Sequence, residues 1–526
     1  MPVSFSSPPR NLFLLGSSGA DVVTNFFATI DSGEIGGGYD VFQTDEIRIS
    51  DEYGSLGTKV SHFLAGTAQD SNSKKVGWMT EQKYYEDYPP GANPPNPPAN
   101  VAQDNHFFVN QDTSTSINTT LRAMELFGSN PNHVLIVVGK TGSVPWIAKY
   151  NENAAIEWVS TSNTADVEYT GVCKSGTNYY ACGSTAVSGD AVSFVEKFDS
   201  NGNPGWGKSA TMLGRDVVLE KITANSRDEI IAVGYLEDDT ADKGYIVKIN
   251  AITGEILWDR SLERNISGSG NSGGNGNDDI ASADVRCTAC YIDGNDQIYV
   301  VGSIDGKSPV NNGVGEFLVK YSPEGNILWQ RENHTDHYTA LDGAPNMIPF
   351  DVKSDTDTQQ TVVLSVEDQG SFASNNSDIF ISKYSKDGTL VFRRKISKGS
   401  NTLGNASLDA DPSFYYVLFT DQQTVPISGT PDRFFFGRVS TSGNGLGDFQ
   451  YDDGSTADTT PIDYTIVSNE NKIGRLSDGS VRNDISDFIT YPFTANKLVF
   501  DDLATPVSNK KKQMDSADSF EYGGSP

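Results

Sequence analysis

Along most of this chain, apolar runs of four to six residues alternate with polar, glycine-rich stretches, and the alternation itself repeats. One unit reads Gln297-Ile-Tyr-Val-Val-Gly-Ser303, then a variable loop, then Phe317-Leu-Val-Lys-Tyr-Ser-Pro-Glu-Gly-Asn-Ile-Leu-Trp329. Upstream, Glu229-Ile-Ile-Ala-Val-Gly-Tyr235 is followed by Tyr245-Ile-Val-Lys-Ile-Asn-Ala-Ile-Thr-Gly-Glu-Ile-Leu-Trp258. Self-similarity at a period of about 40 to 50 residues is the mark of propeller blades or another repeat array.

Further copies pair Val134–Gly139 with Trp146–Tyr150 and Trp158, and Tyr179–Gly183 with Phe194–Phe198 and Trp206. Downstream, Thr361–Ser365 precedes Ile379–Tyr384 and Phe392, and Phe414–Phe419 precedes Phe434–Val439. Two fainter copies open the chain: Leu12–Ser17 with Phe26–Asp31, and Phe63–Gly66 with Val76–Thr80.

Each unit predicts four strands. The Val/Ile/Tyr run favours a pleated strand, and the glycine at its end (Gly139, Gly183, Gly234, Gly302) predicts a tight bend. A second strand follows. A turn such as Pro323-Glu-Gly-Asn326 then leads into a third strand carrying Trp158, Trp206, Trp258, Trp329 or Phe392. A fourth, such as Asp284–Tyr291, precedes each Val-Gly run. Apolar residues on both faces of the middle strands require a neighbour on each side, so the units must stack into a closed ring. The expected fold is therefore an all-β propeller of seven or eight four-stranded blades over residues 1–451. Loop insertions are expected near 85–112, where Tyr88–Pro98 is proline-rich, and near 264–280. Residues 452–526 read as an extended linker with a few short strands, or the start of a further domain. The tryptophans, Phe392 and the four glycines are read as the structural core of the repeat, and the aromatic rings as packing residues rather than ligand-stacking ones.

Charge narrows the partners. With 69 acidic against 39 basic residues the formal charge is −30, a field that repels phosphates and anionic lipid, so neither nucleic acid nor membrane is an expected partner. No stretch approaches the roughly 20 apolar residues of a membrane helix, and the N-terminus lacks the basic and apolar regions of an export signal. The sequons at Asn118, Asn265, Asn333, Asn375 and Asn405 are then incidental.

Little in the sequence carries chemistry. Cys287-Thr-Ala-Cys290 has half-zinc-site spacing, but Cys173 and Cys182 lie at positions that other units fill with small apolar residues, which favours packing. His334 and His337 have no supporting ligand pattern around them. Asp199-Ser-Asn-Gly-Asn203 resembles the start of a calcium loop without its closing Glu, and turn chemistry explains it equally well. The recurring Lys149, Lys197, Lys248, Lys320, Lys383 and Arg438 offer either a positive ring round a channel or, the reading favoured here, side chains paired with acidic neighbours at strand ends. No nucleophile elbow, P-loop or dinucleotide fingerprint is found. No catalytic, cofactor-binding or metal-binding residue is assigned, and the expectation is a protein that is not an enzyme and needs no cofactor.

The blade pattern resembles the β-propeller repeats of bacterial surface proteins. Pro8–Phe27, Ala68–Lys74 and Asn118–Glu125 resemble virion structural proteins of contractile-tailed phages that infect marine cyanobacteria. That resemblance implies a non-enzymatic scaffold or host-contact protein of the tail or baseplate region, assembled into virions in the host cytoplasm. Its expected partners are other virion proteins and a host surface glycan. The alternative is a secreted or surface-displayed glycan-binding adhesin.

Overall fold

The structure, a computed structural model, describes parts of residues 26–502. The wider gaps are 32–38, 87–104, 110–117, 265–282, 307–313, 334–345, 369–376, 423–432, 452–461 and 469–487. Both expected insertions fall mainly outside the described residues, as do Leu12–Ser17 and His334 and His337.

The fold is an all-β propeller. Strand β1 (Phe26–Asp31) opens the chain, and β2 (Tyr39–Gly54), β3 (Gly57–Asp70), β4 (Lys75–Glu86) and β5 (Asn105–Val109) make the first sheet. The second holds β6 (Thr119–Phe127), β7 (Val134–Thr141), β8 (Val144–Tyr150) and β9 (Ile156–Thr161). The third is built from β10 (Val167–Ser175), β11 (Asn178–Thr185), β12 (Ser193–Phe198) and β13 (Pro204–Met212). The fourth follows with β14 (Val217–Ala224), β15 (Glu229–Leu236), β16 (Lys243–Asn250) and β17 (Ile256–Arg264). In the fifth are β18 (Ala283–Ile292), β19 (Ile298–Gly306), β20 (Val314–Tyr321) and β21 (Ile327–Asn333). The sixth has β22 (Asn346–Ser354), β23 (Thr361–Asp368), β24 (Ser377–Tyr384) and β25 (Leu390–Ser397). The seventh has β26 (Thr402–Ala410), β27 (Phe414–Gln422) and β28 (Arg433–Ser440), completed by β1 at its outer edge.

The first strands of the seven sheets, from β2 through β26, each pack against the next, and β26 packs against β2, so the sheets close a ring. No eighth sheet is found among the described residues. The strand of the first faint repeat, Phe26–Asp31, instead pairs antiparallel with Arg433–Arg438 and ties the start of the chain to the end of the ring.

Not every sheet has four strands. β29 (Gly447–Tyr451) and β30 (Ile462–Ser468) extend the sixth sheet to six strands. β31 (Phe488–Pro492) adds to β17 and β32 (Leu498–Asp502) to β13, giving five strands each. The described strands of 452–526 thus run backwards round the rim, from the sixth sheet to the fourth to the third, as added edge strands.

Apolar clusters lie between sheets. One joins Ile136, Val138 and Trp158 to Tyr179 and Phe194, and another joins Ile231 and Val233 to Val300 and Phe317. Trp158 is buried and donates its indole N–H to Ser200 O at 3.1 Å, in the turn of the following sheet. The partly buried Trp206, Trp258 and Trp329 make the same bond to Ala251 O (3.1 Å), Pro323 O (3.1 Å) and Lys386 O (2.8 Å). Beneath each ring sits a turn glycine with positive φ: Gly325, at φ 79°, would bring a Cβ to 3.1 Å from the Trp258 ring. Phe392, which has no donor, is buried between the sixth and seventh sheets.

Gly139, Gly183, Gly234 and Gly302 do not end their strands, as the sequence pattern predicts. Each lies inside its strand, opposite a register shift in the innermost strand: between Leu121 and Ala123, Tyr169 and Gly171, Leu219 and Lys221, and Cys287 and Ala289. There the extra residue pushes a carbonyl into the space of a side chain. A Cβ on Gly183 would stand 2.0 Å from Glu168 O, and one on Gly302 would stand 2.0 Å from Arg286 O. The glycine is required by this close approach and not by a bend.

Candidate functional site

The same bulges build the axial site. Two residues after pairing resumes in each innermost strand stand Arg48, Glu125, Cys173, Thr223, Tyr291, Lys353 and Asp409, and all seven line a central cavity of about 670 Å³. Ligand cavities are typically about 300–1,000 Å³.

Around this ring the charges sit on one arc. Arg48 Nη2 lies 2.7 Å from Glu125 Oε1, and Lys353 Nζ lies 4.0 Å from Asp409 Oδ1. Burial raises the pKa of Asp409, and the opposing pull of Lys353 and then of Arg48 only partly offsets it. The other arc, Cys173, Thr223 and Tyr291, is uncharged at neutral pH: burial pushes the Cys173 thiol well above its usual range and Tyr291 up to about 12.

Every carboxylate lining the cavity already has a partner. Asp351 accepts the backbone N–H of Val352 at 2.8 Å and of Leu408 at 3.1 Å. Asp355 caps its turn by accepting from Thr358 N at 2.6 Å and Thr358 Oγ1 at 2.7 Å. Asp411 accepts from Phe414 N at 2.7 Å and Tyr416 OH at 2.6 Å. Glu125 is held by Arg48, and Asp409 accepts from Ala410 N at 3.0 Å, with Lys353 in looser ion-pair range.

The recurring basic residues do not line this axis as a ring. They stand on the third strand of their sheets, one or two positions before its end, and the ammonium groups of Lys149, Lys248, Lys320 and Lys383 meet neighbours at strand ends and turns. Lys149 pairs with Glu157 at 2.8 Å and Lys248 with Glu229 at 2.6 Å. Lys248 also donates to Pro323 O, Lys320 to Gln359 Oε1 and Lys383 to Thr441 O. Of the five whose side chains are described, only Lys383 reaches the cavity wall; the side chain of Arg438 lies outside the described residues.

The four cysteines are buried free thiols that pack with apolar neighbours, Cys173 and Cys182 in one inter-sheet cluster and Cys287 and Cys290 in another. No group of three or more His, Cys, Asp or Glu side chains among the described residues is arranged to hold a metal. His133 is buried edge-on to Phe63 at 5.0 Å. The Asp199 carboxylate is taken up by its own turn, accepting from Asn201 N, Asn203 N and Asn203 Nδ2.

Sequence reasoning missed the axial residues. Their only signal is position relative to the bulge, which the innermost strands do not advertise by any shared residue type.

No family model matches the chain, and no curated protein matches it. Among solved structures, polysaccharide lyase Uly1 superposes with a TM-score of 0.40 at 8% identity, over 74% of this chain and 89% of that one. A mutant of Trypanosoma rangeli sialidase displaying trans-sialidase activity superposes with a TM-score of 0.31 at 10% identity, over 60% of this chain and 54% of that one. Likeness at this level carries nothing about the chemistry of the present chain.

Proposed function

We propose that this protein is a non-enzymatic structural component of a phage virion, in the tail or baseplate region, acting as a scaffold or host-contact module through protein–protein contacts. In this reading the seven sheets are seven blades of one ring. The observation that supports a non-enzymatic role is the state of the axial carboxylates. General acid–base work needs a carboxyl group free to meet substrate with a tuned pKa. Here all five are engaged by turns, backbone amides or neighbouring cations, an arrangement that holds seven strands around an axis.

The virion setting is supported by the resemblance of Pro8–Phe27, Ala68–Lys74 and Asn118–Glu125 to phage structural proteins. Immunogold electron microscopy of purified phage particles, with antibody against residues 134–450, tests it. Label on the tail or baseplate is expected. Bare particles with labelled cell surfaces would overturn the assignment and put a surface adhesin in its place.

A further inference from the structure

The axial cavity offers more than a structural pin. It is large enough for a small ligand, and its lining includes five basic and five acidic side chains, so it is neutral within a chain whose formal charge is −30. An ion would gain no net attraction from such a wall. A neutral ligand that both donates and accepts hydrogen bonds would find complements on all sides.

The lining holds more than its ion pairs. Thr223 and Tyr291 bring hydroxyls, and Phe127, Tyr291 and Tyr415 bring aromatic rings to the lining. Two ammonium groups retain donor capacity toward the cavity. Lys174 Nζ lies 5.4 Å from the centroid of the Phe127 ring, a contact that uses its charge without fixing its protons. Lys353 Nζ stands 5.6 Å from the centroid of the Tyr291 ring and at 4.0 Å from its carboxylate partner, too far for a tight hydrogen bond. Hydroxyls, ammonium groups and aromatic rings around one cavity suit a pyranose, whose C–H face packs on an aromatic ring while its hydroxyls reach donors and acceptors.

We infer that the central cavity binds a neutral saccharide unit, the end of a surface glycan, through Lys174, Tyr291 and Lys353. This rests on the host-contact reading above and names the chemical class that contact would recognise. A carboxylate- or phosphate-bearing ligand is disfavoured, because a wall of five acidic and five basic side chains offers it no net attraction to offset its desolvation.

Saturation-transfer NMR on the full chain tests this, with methyl glycosides of glucose, galactose and rhamnose as neutral probes and glucuronate and inorganic phosphate as charged ones. At least one neutral glycoside should receive saturation, and Lys174→Ala and Tyr291→Phe, checked for unchanged thermal melting, should each weaken its binding about fivefold or more. Three results would overturn the inference: no transfer to any neutral glycoside, stronger binding of glucuronate or phosphate, or binding indifferent to both substitutions. Sugar binding with unlabelled virions would sink the virion assignment alone, and labelled virions without sugar binding would sink this inference alone.

Discussion

Glu196 gives the packing of these sheets a pH-dependent readout. It lies in β12, 1% exposed, facing the second sheet, where its carboxyl group accepts hydrogen bonds from Tyr169 OH and from Ser162 Oγ at 3.3 Å. Burial pushes its pKa from an ordinary 4.5 up to about 7, and the two hydroxyls only partly oppose the shift. A carboxyl group raised in this way keeps its proton in the folded state while the unfolded chain has lost it. Stability therefore falls as pH rises from 4.5 to about 7, and the full penalty applies above that window. At about 1.4 kcal/mol per pH unit the penalty comes to about 3 kcal/mol. Glu196→Gln keeps the shape, with an amide oxygen to accept from Tyr169 and an amide N–H to donate to Ser162. The variant should match wild type near pH 4.5 and exceed it by about 3 kcal/mol at pH 8, read as the difference in urea-denaturation free energy across that range. Other raised carboxyl groups cancel in the difference. A difference that does not change with pH would refute the reasoning, since it would mean that Glu196 titrates alike in both states.

Gly302→Ala would bring a Cβ to 2.0 Å from Arg286 O and should cost at least about 3 kcal/mol, whereas Gly205→Ala meets only the flexible stem of Lys197 and should change stability by less than about 1 kcal/mol; equal denaturation midpoints would discredit the bulge account. Trp258→Phe loses the bond to Pro323 O and should cost about 1–2 kcal/mol; an unchanged thermal melt would show that the turn latch contributes nothing. Deleting residues 453–526 strips the added strands from Lys208–Met212, Arg260–Arg264 and Arg394–Ser397, so amide exchange at those three edges should accelerate about tenfold or more while the innermost strands stay protected. Unchanged exchange there would mean that the strap does not pair in solution.

The repeat made most of the fold legible, because residues on the faces of a sheet see the same kind of neighbour in every unit. Val233 and Val301 each pack against a neighbouring sheet, and Trp258 and Trp329 each meet the next turn, so the same residue types recur. Two features escaped. Phe26–Asp31 has the composition of a third strand but serves as the outer strand of the last sheet, and which sheet it completes is decided by ring closure, a contact across the whole chain. The role of Gly302 was also hidden: a tight bend and a bulged partner both call for glycine, and only the pairing register tells them apart.

The axial site was illegible for a reason that follows from the same geometry. Residues between sheets repeat because each meets an equivalent partner, but Arg48, Glu125, Cys173, Thr223, Tyr291, Lys353 and Asp409 share a single space. Seven copies of one charge there would repel one another within a few ångströms, and seven apolar copies would leave a dry hole of about 670 Å³ with no atoms to fill it. Symmetry in the fold thus forces asymmetry at the axis. The alternation of Lys353, Asp409, Arg48 and Glu125 along successive strands is the low-energy way to place four charges in that crowd. In a chain of this kind, the positions where the repeat agrees mark packing, and those where it disagrees two residues past each bulge mark the place where a ligand would be read.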